Sequence, residues 1–204
     1  PAYPGYPPPA YPPPPPPVSR SARLHDGFYL RMNIGADYLS STIELEDASS
    51  WEVDVTGGGL ALDLMLGGTL SPGFVLGGSL FITTASKPNI EGPEVSGEID
   101  GSLGSVMLLL FADVFPDPKG GLNVGGGLGF DAVSLTDDAN EDDPLELSGF
   151  GGAAWVGYGG WVGDEWQLGG LLRLAGSLTD GDESGFDYKA RTGSVALLFS
   201  ALYH

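Results

Sequence analysis

The sequence predicts an all-β fold: an eight-stranded antiparallel up-and-down transmembrane β-barrel carrying an N-terminal polyproline II arm. Three observations predict it. From Gly27 onward apolar residues recur at every second position, the pattern of strands with two unlike faces. The connections between these segments alternate between short and long, as they must when an up-and-down barrel has two different ends. Thirty-four glycines in 204 residues argue against long helices, where each costs about 1 kcal/mol relative to Ala.

Residues 1–26 are read as an extended arm and leader, and residues 27–204 as the barrel. The first 17 residues hold 11 of the 17 prolines. Proline fixes φ and removes the amide donor, so this block predicts a polyproline II rod without internal hydrogen bonds. At about 3.1 Å per residue it reaches on the order of 50 Å. Tyr3, Tyr6 and Tyr11 are its only large side chains. Two readings stay open: a stiff tether, or a docking arm whose tyrosines fill pockets on a second copy, a periplasmic partner or the cell wall. The chain begins at Pro1 without a basic leader, which reads as a mature N-terminus left after export.

Each strand is then legible in order. The first sets Phe28, Leu30, Met32, Ile34, Ala36 and Tyr38 against Tyr29, Arg31, Asn33, Gly35 and Asp37. The second sets Leu60, Leu62, Leu64 and Leu66 against Ala61, Asp63 and Met65, and the third sets Phe74, Leu76, Leu80 and Ile82 against Val75, Ser79 and Phe81. The fourth, Leu103 to Phe115, is apolar on both faces, so its phase is undetermined. The fifth sets Leu122, Val124, Leu128 and Phe130 against Asn123, Gly125, Gly127, Gly129 and Asp131. The sixth, from about Leu147 to Trp161, places Phe150, Ala154, Val156 and Tyr158 together. The seventh sets Trp166, Leu168, Leu172 and Leu174 against Gln167, Gly169, Arg173 and Ser177. The eighth places Val195, Leu197, Phe199, Ala201 and Tyr203 on one face. Short turns fall at 71–73, 116–120 and 162–165, and long polar loops at about 42–56, 86–101, 136–146 and 179–190.

Composition excludes several functions. With no Cys there is no disulfide framework and no thiolate chemistry. A net charge of −19 and scattered basic residues speak against nucleic acid. The longest apolar run, Val106 to Ala112, is far short of the roughly 20 residues of a spanning helix.

One strand face is almost purely aliphatic and aromatic, while the other carries Arg31, Asp37, Asp63, Asp131 and Arg173. Charges of both signs suit a narrow lumen, where they pair away from lipid, and a lipid-facing exterior explains the apolar face. Phe28, Phe74, Trp166 and Tyr203 near the short turns, with Tyr38, Phe130 and Phe150 near the loops, then form two interfacial girdles. Arg173 and Asp63 each lie seven residues from a short-turn end, so similar depth is expected. A salt-bridged plug is the leading reading of these charges and a narrow conducting path the other. Inward glycines, among them Gly125, Gly127, Gly129 and Gly169, are expected to leave space for water or for the arm.

This pattern resembles the small eight-stranded outer-membrane barrels of Gram-negative bacteria, the class of the OmpA transmembrane domain, OmpX and OmpW. The resemblance rests on pattern over residues 27–204, without a family motif. It implies a location in the bacterial outer membrane, with outer-membrane lipid as surroundings, long loops facing outside and the arm starting on the periplasmic side. The loops hold nineteen of the 27 acidic residues. A solvated acidic surface is the default, with Ca²⁺ at Asp137, Asp138, Glu141, Asp142 and Asp143 as a weak candidate cofactor site, since carboxylates are the hard oxygen ligands it takes. His25 and His204 lie before the first strand and at the end of the last, away from strand-borne Ser or Asp near the outer rim, so no enzyme is expected. The expected function is a non-enzymatic membrane barrel displaying acidic loops and an arm for protein docking, extending to self-assembly. A narrow transport pore is the alternative.

Overall fold

The structure is a computed structural model that describes residues 23–45, 52–93, 96–137, 145–183 and 186–204. The arm tyrosines Tyr3, Tyr6 and Tyr11 and the acidic residues Asp138, Glu141, Asp142 and Asp143 lie outside the described residues, and Asp137 ends a strand.

Eight long strands build the wall: β1 (Phe28–Leu45), β2 (Glu52–Ser71), β3 (Phe74–Ser86), β6 (Gly101–Val114), β7 (Leu122–Asp137), β8 (Leu145–Trp161), β9 (Trp166–Glu183) and β10 (Phe186–Tyr203). Between β3 and β6 a small hairpin, β4 (Asn89–Glu91) and β5 (Ser96–Glu98), pairs onto the upper half of β2 and continues the wall above the end of β3. Among the eight long strands, neighbours in sequence are neighbours in the sheet, all antiparallel, and β1 pairs both β2 and β10, so the barrel closes without a free edge. From Asp37, the hydrogen-bonded partners lead one way round to Leu135 on β7 and the other way to Gly125. Those positions are ten residues apart, which is the stagger of the closed sheet, and such a stagger tilts the strands and leaves an interior that side chains fill.

The two faces follow the sequence pattern. Leu60, Leu110, Leu128, Phe150, Tyr158 and Leu197 are among the most exposed residues, and together they make an apolar belt around the barrel. Across neighbouring strands the belt ends at one level, where Tyr38, Leu60, Val106, Phe130, Phe150, Leu178 and Val195 give way to Ser40, Gly58, Gly104, Ser134, Ser148, Asp180 and Gly193. An apolar ring of this kind is unstable in water and is the face that a transmembrane barrel turns to lipid. The previously unphased β6 points Leu103, Met107, Leu109, Phe111 and Asp113 inward and Val106, Leu108, Leu110 and Val114 outward.

The structure corrects the loop boundaries. Of the stretches expected to be long polar loops, 42–56 and 179–190 are strand throughout their described residues: β1 runs to Leu45, β2 starts at Glu52, β9 runs to Glu183 and β10 starts at Phe186. The cause is alternation. Outward residues there are polar, but Ile43, Val55, Leu147 and Ala190 still point inward and pack with Leu39, Ala85, Leu103 and Val133 as an apolar collar. The barrel wall therefore rises beyond the lipid belt.

Candidate functional site

The lumen is built in layers, and the lowest is a floor at the short-turn end. Residues 23–26 cross that end instead of standing off it: Arg23 N–H donates to Asp164 O, and His25 N–H to Pro118 O. The β2–β3 turn is tied to them, with Gly73 N–H donating to His25 O and Phe115 N–H to Gly73 O. Gly73 has φ +80°, and a Cβ there would come within 2.6 Å of Phe115 O, so Pro72-Gly73 is required by both turn and floor. His25 is fully buried, its ring 3.6 Å from that of Phe115 and 5.1 Å from that of Trp161. Its Nε2–H donates to Gly120 O at 2.9 Å, which leaves Nδ1 to accept a hydrogen bond from His204 Nε2–H. Burial lowers the pKa of both imidazoles; Arg31 nearby pushes the same way, and His204 falls to about 3.

Above the floor lies the first ion pair. Arg31 Nη1 stands 3.2 Å from Asp113 Oδ2. Asp113 also accepts from Tyr29 Oη at 2.7 Å, Asn123 Nδ2 at 2.8 Å and Trp155 Nε1 at 3.2 Å. The second pair is Arg173 and Asp63 at 2.7 Å, both buried. Asp63 accepts further bonds from Asn33 at 2.9 Å and Ser79 at 2.8 Å, and the Arg173 guanidinium lies 4.0 Å from the Phe81 ring centre. Higher still, Asp131 accepts from Ser105 at 2.7 Å and Ser177 at 2.5 Å, and Ser41 and Thr192 share a bond of 2.9 Å. Asp37 faces this level without a side-chain hydrogen-bond partner among the described residues. The apolar collar closes the stack.

Of the five lumen charges read from sequence, the structure joins Arg173 to Asp63 and leaves Arg31, Asp37 and Asp131 apart from one another. Arg31 finds Asp113 instead. Asp113 escaped the sequence reading because β6 could not be phased. Its signal was present, since the lone carboxylate in that apolar run cannot face lipid and so sets the inward parity. The floor histidines were both placed at the short-turn end, but nothing in sequence spacing joins positions 179 residues apart.

Gly125 and Gly127 do not leave the expected space, whereas Gly169 lines a small cavity with Arg31, Asn123, Gln167 and Ser200. A Cβ at Gly125 would come within 2.5 Å of the Trp155 indole, and one at Gly127 within 3.1 Å of Phe111 Cβ. Glycine here admits a large ring that reaches Asp113. Gly125→Val is expected to displace Trp155 and destabilise the barrel by about 1–3 kcal/mol, visible as a changed Trp emission and a lower urea midpoint.

The aromatic residues assigned to the membrane interfaces all point outward. Phe28 and Tyr203 ring centres are 6.4 Å apart, Trp166 and Tyr203 5.3 Å, and all three belong to the short-turn end with half-buried Phe74. Phe130 and Phe150 meet at 4.8 Å near the upper end of the belt, which Tyr38 shares.

No family model and no curated protein sequence matches the chain. Solved structures do. The outer membrane protein AlkL, studied in lipid bilayers, is 17% identical over 95% of this chain and 94% of its own, with a TM-score of 0.54. The outer membrane protein OprG from Pseudomonas aeruginosa is 12% identical over 90% of this chain and 99% of its own, with a TM-score of 0.52. Neisserial surface protein A is 13% identical over 87% and 97%, with a TM-score of 0.50. At these identities the likeness shows the fold, that of the small outer-membrane β-barrels.

Proposed function

We propose that this protein is a non-enzymatic barrel of the bacterial outer membrane that acts as a closed anchor for its proline-rich arm. The short turns face the periplasm, the acidic loops face outside, and the arm docks on a protein partner or on a second copy of the chain. The observation that carries the reading is the floor. Residues 23–26 are hydrogen-bonded into the short-turn end and His25 there is fully buried, which supports an arm attached at that side and a lumen closed to through-flow. The histidines that acid–base chemistry would need are spent in the floor, bonded to each other and to Gly120. Mass measurement in mild detergent, with and without residues 1–17, tests the docking part. A large species that collapses to single barrels on truncation supports self-assembly, and single barrels in both cases rule it out.

A second reading, a narrow transport pore, is favoured by the small cavity between the second ion pair and the collar, lined by Leu39, Phe81, Met107 and Asp131. For the anchor, planar bilayers holding the full chain stay silent, and they stay silent with Arg31→Ala because the floor beneath it is intact. Steady conductance in the unaltered chain, changed by Arg31→Ala or Arg173→Ala, would favour the pore instead.

A further inference from the structure

We propose that the lumen between the Arg173–Asp63 pair and the apolar collar is a binding site for a single partly dehydrated monovalent metal cation of the Na⁺ class. The site goes beyond the anchoring reading and does not depend on it. Among the described residues four buried carboxylates face the lumen, Asp37, Asp63, Asp113 and Asp131, against two guanidinium groups. Arg31 is taken by Asp113 and Arg173 by Asp63, which leaves Asp37 and Asp131 without a cationic partner among the described residues. Buried carboxylates in that position need a counter-charge or a proton.

Each Asp131 oxygen lies within hydrogen-bond reach of a hydroxyl, Ser105 at 2.7 Å and Ser177 at 2.5 Å, and an Asp131 balanced by a cation takes both as donors. With their protons directed at Asp131, those two hydroxyls offer only lone pairs to the cavity they line. Thr192 and Ser194 add hydroxyl oxygens to the same cavity. Asp37 is 6% exposed, and among the described residues neither its oxygens nor the buried Thr83 and Thr179 hydroxyls beside Ser105 and Ser177 have a side-chain partner. Asp37 flanks the cavity, since Leu39 and Ser194, which line it, are two residues from Asp37 and from its cross-strand partner Ala196. The stagger of the sheet sets Asp131 midway between the two β7 positions reached from Asp37, so the carboxylates face each other at one level across the barrel.

Hard oxygen donors select a hard cation. Carboxylates on opposite walls cannot close together on one ion, and the remaining ligands are neutral hydroxyls, so the donor set suits one positive charge better than the denser carboxylate cages of Ca²⁺.

The test is the unfolding of the full chain in detergent at pH 8, in NaCl or in N-methylglucamine chloride at equal ionic strength. NaCl should raise the unfolding midpoint with saturable concentration dependence, by about a hundredfold in the folding equilibrium once Na⁺ stands about a hundred times above its dissociation constant. Asp131→Asn should abolish the Na⁺-specific part and Asp37→Asn should weaken it. Should Asp131→Asn fail to fold, ²³Na line broadening by the unaltered protein, reduced in Asp37→Asn, carries the same test. Equal midpoints in the two salts, a Na⁺ effect undiminished in both variants, or stabilisation by lowered pH alone would overturn the proposal.

Discussion

Asp63→Ala should cost the barrel about 3–5 kcal/mol, the largest loss expected of any single substitution in the lumen. The Arg173 guanidinium has 0% exposure, so removal of its partner strands a full charge in the interior. Asn33 and Ser79 lose their acceptor at the same time. The contact with the Phe81 ring remains but is worth only about 2 kcal/mol even when desolvated. Urea unfolding of the protein in detergent reads this as a drop in midpoint at nearly constant slope. A double variant, Asp63→Leu with Arg173→Met, separates the ion pair from its packing. It removes both charges at similar volume and should recover most of the loss, because the penalty lies in the unpaired charge. If Asp63→Ala alone cost under about 1 kcal/mol, in the range of a surface pair, the pair would have to be wet, contrary to the burial of both its members.

Acidification should loosen the floor before it affects the wall. Both histidines are held neutral, with pKa values below the unfolded value near 6.5, chiefly because burial disfavours the charged ring. The folded state then binds fewer protons than the unfolded one, so this part of the stability is complete above about pH 6.5 and falls as the pH drops below it. The loss continues until the folded-state value of about 3 is passed for His204. At pH 5 His204 alone accounts for about 2 kcal/mol, and His25 adds to it in the same direction. The groups facing the pair work against one another: Arg31 opposes protonation, while Asp113 and Asp117 favour it at His25. Hydrogen exchange of the amides of His25, Gly73 and Phe115 between pH 8 and 5 reads the floor directly. Those amides should exchange faster at pH 5 while mid-strand amides of β1 and β10 hold. His25→Phe keeps a ring against Phe115 and should flatten the dependence. An unchanged profile in that variant would mean the histidines do not control the floor.

The barrel was legible in the sequence because a strand declares its faces locally. Alternation from Phe28 to Tyr38 or from Leu60 to Leu66 needs no knowledge of the neighbouring strand, and the outward direction of those residues follows from their chemistry and the absence of charge among them. The same logic misjudged the stretches around 42–56 and 179–190. There the outward half turns polar where the wall leaves lipid, and polarity outweighed the persistence of Ile43, Val55 and Ala190 at alternate positions. Likewise it passed over Asp113, whose parity becomes clear only when a single carboxylate is given the power to phase an otherwise featureless apolar run.

Residue types along each strand were thus enough to establish an eight-stranded barrel, its apolar exterior and the presence of charges inside. Which charges meet was decided by closure. Arg173 and Asp63 are 110 residues apart, and Tyr29 and Asp113 are 84. Their contact depends on the ten-residue stagger, a sum of pairings taken once round the ring that no single strand contains. The floor has the same origin: His25 meets His204 because closure sets the start of β1 beside the end of β10. Local alternation fixes which way a side chain points, but only the closed sheet fixes its height, and ion pairs form between groups that share both.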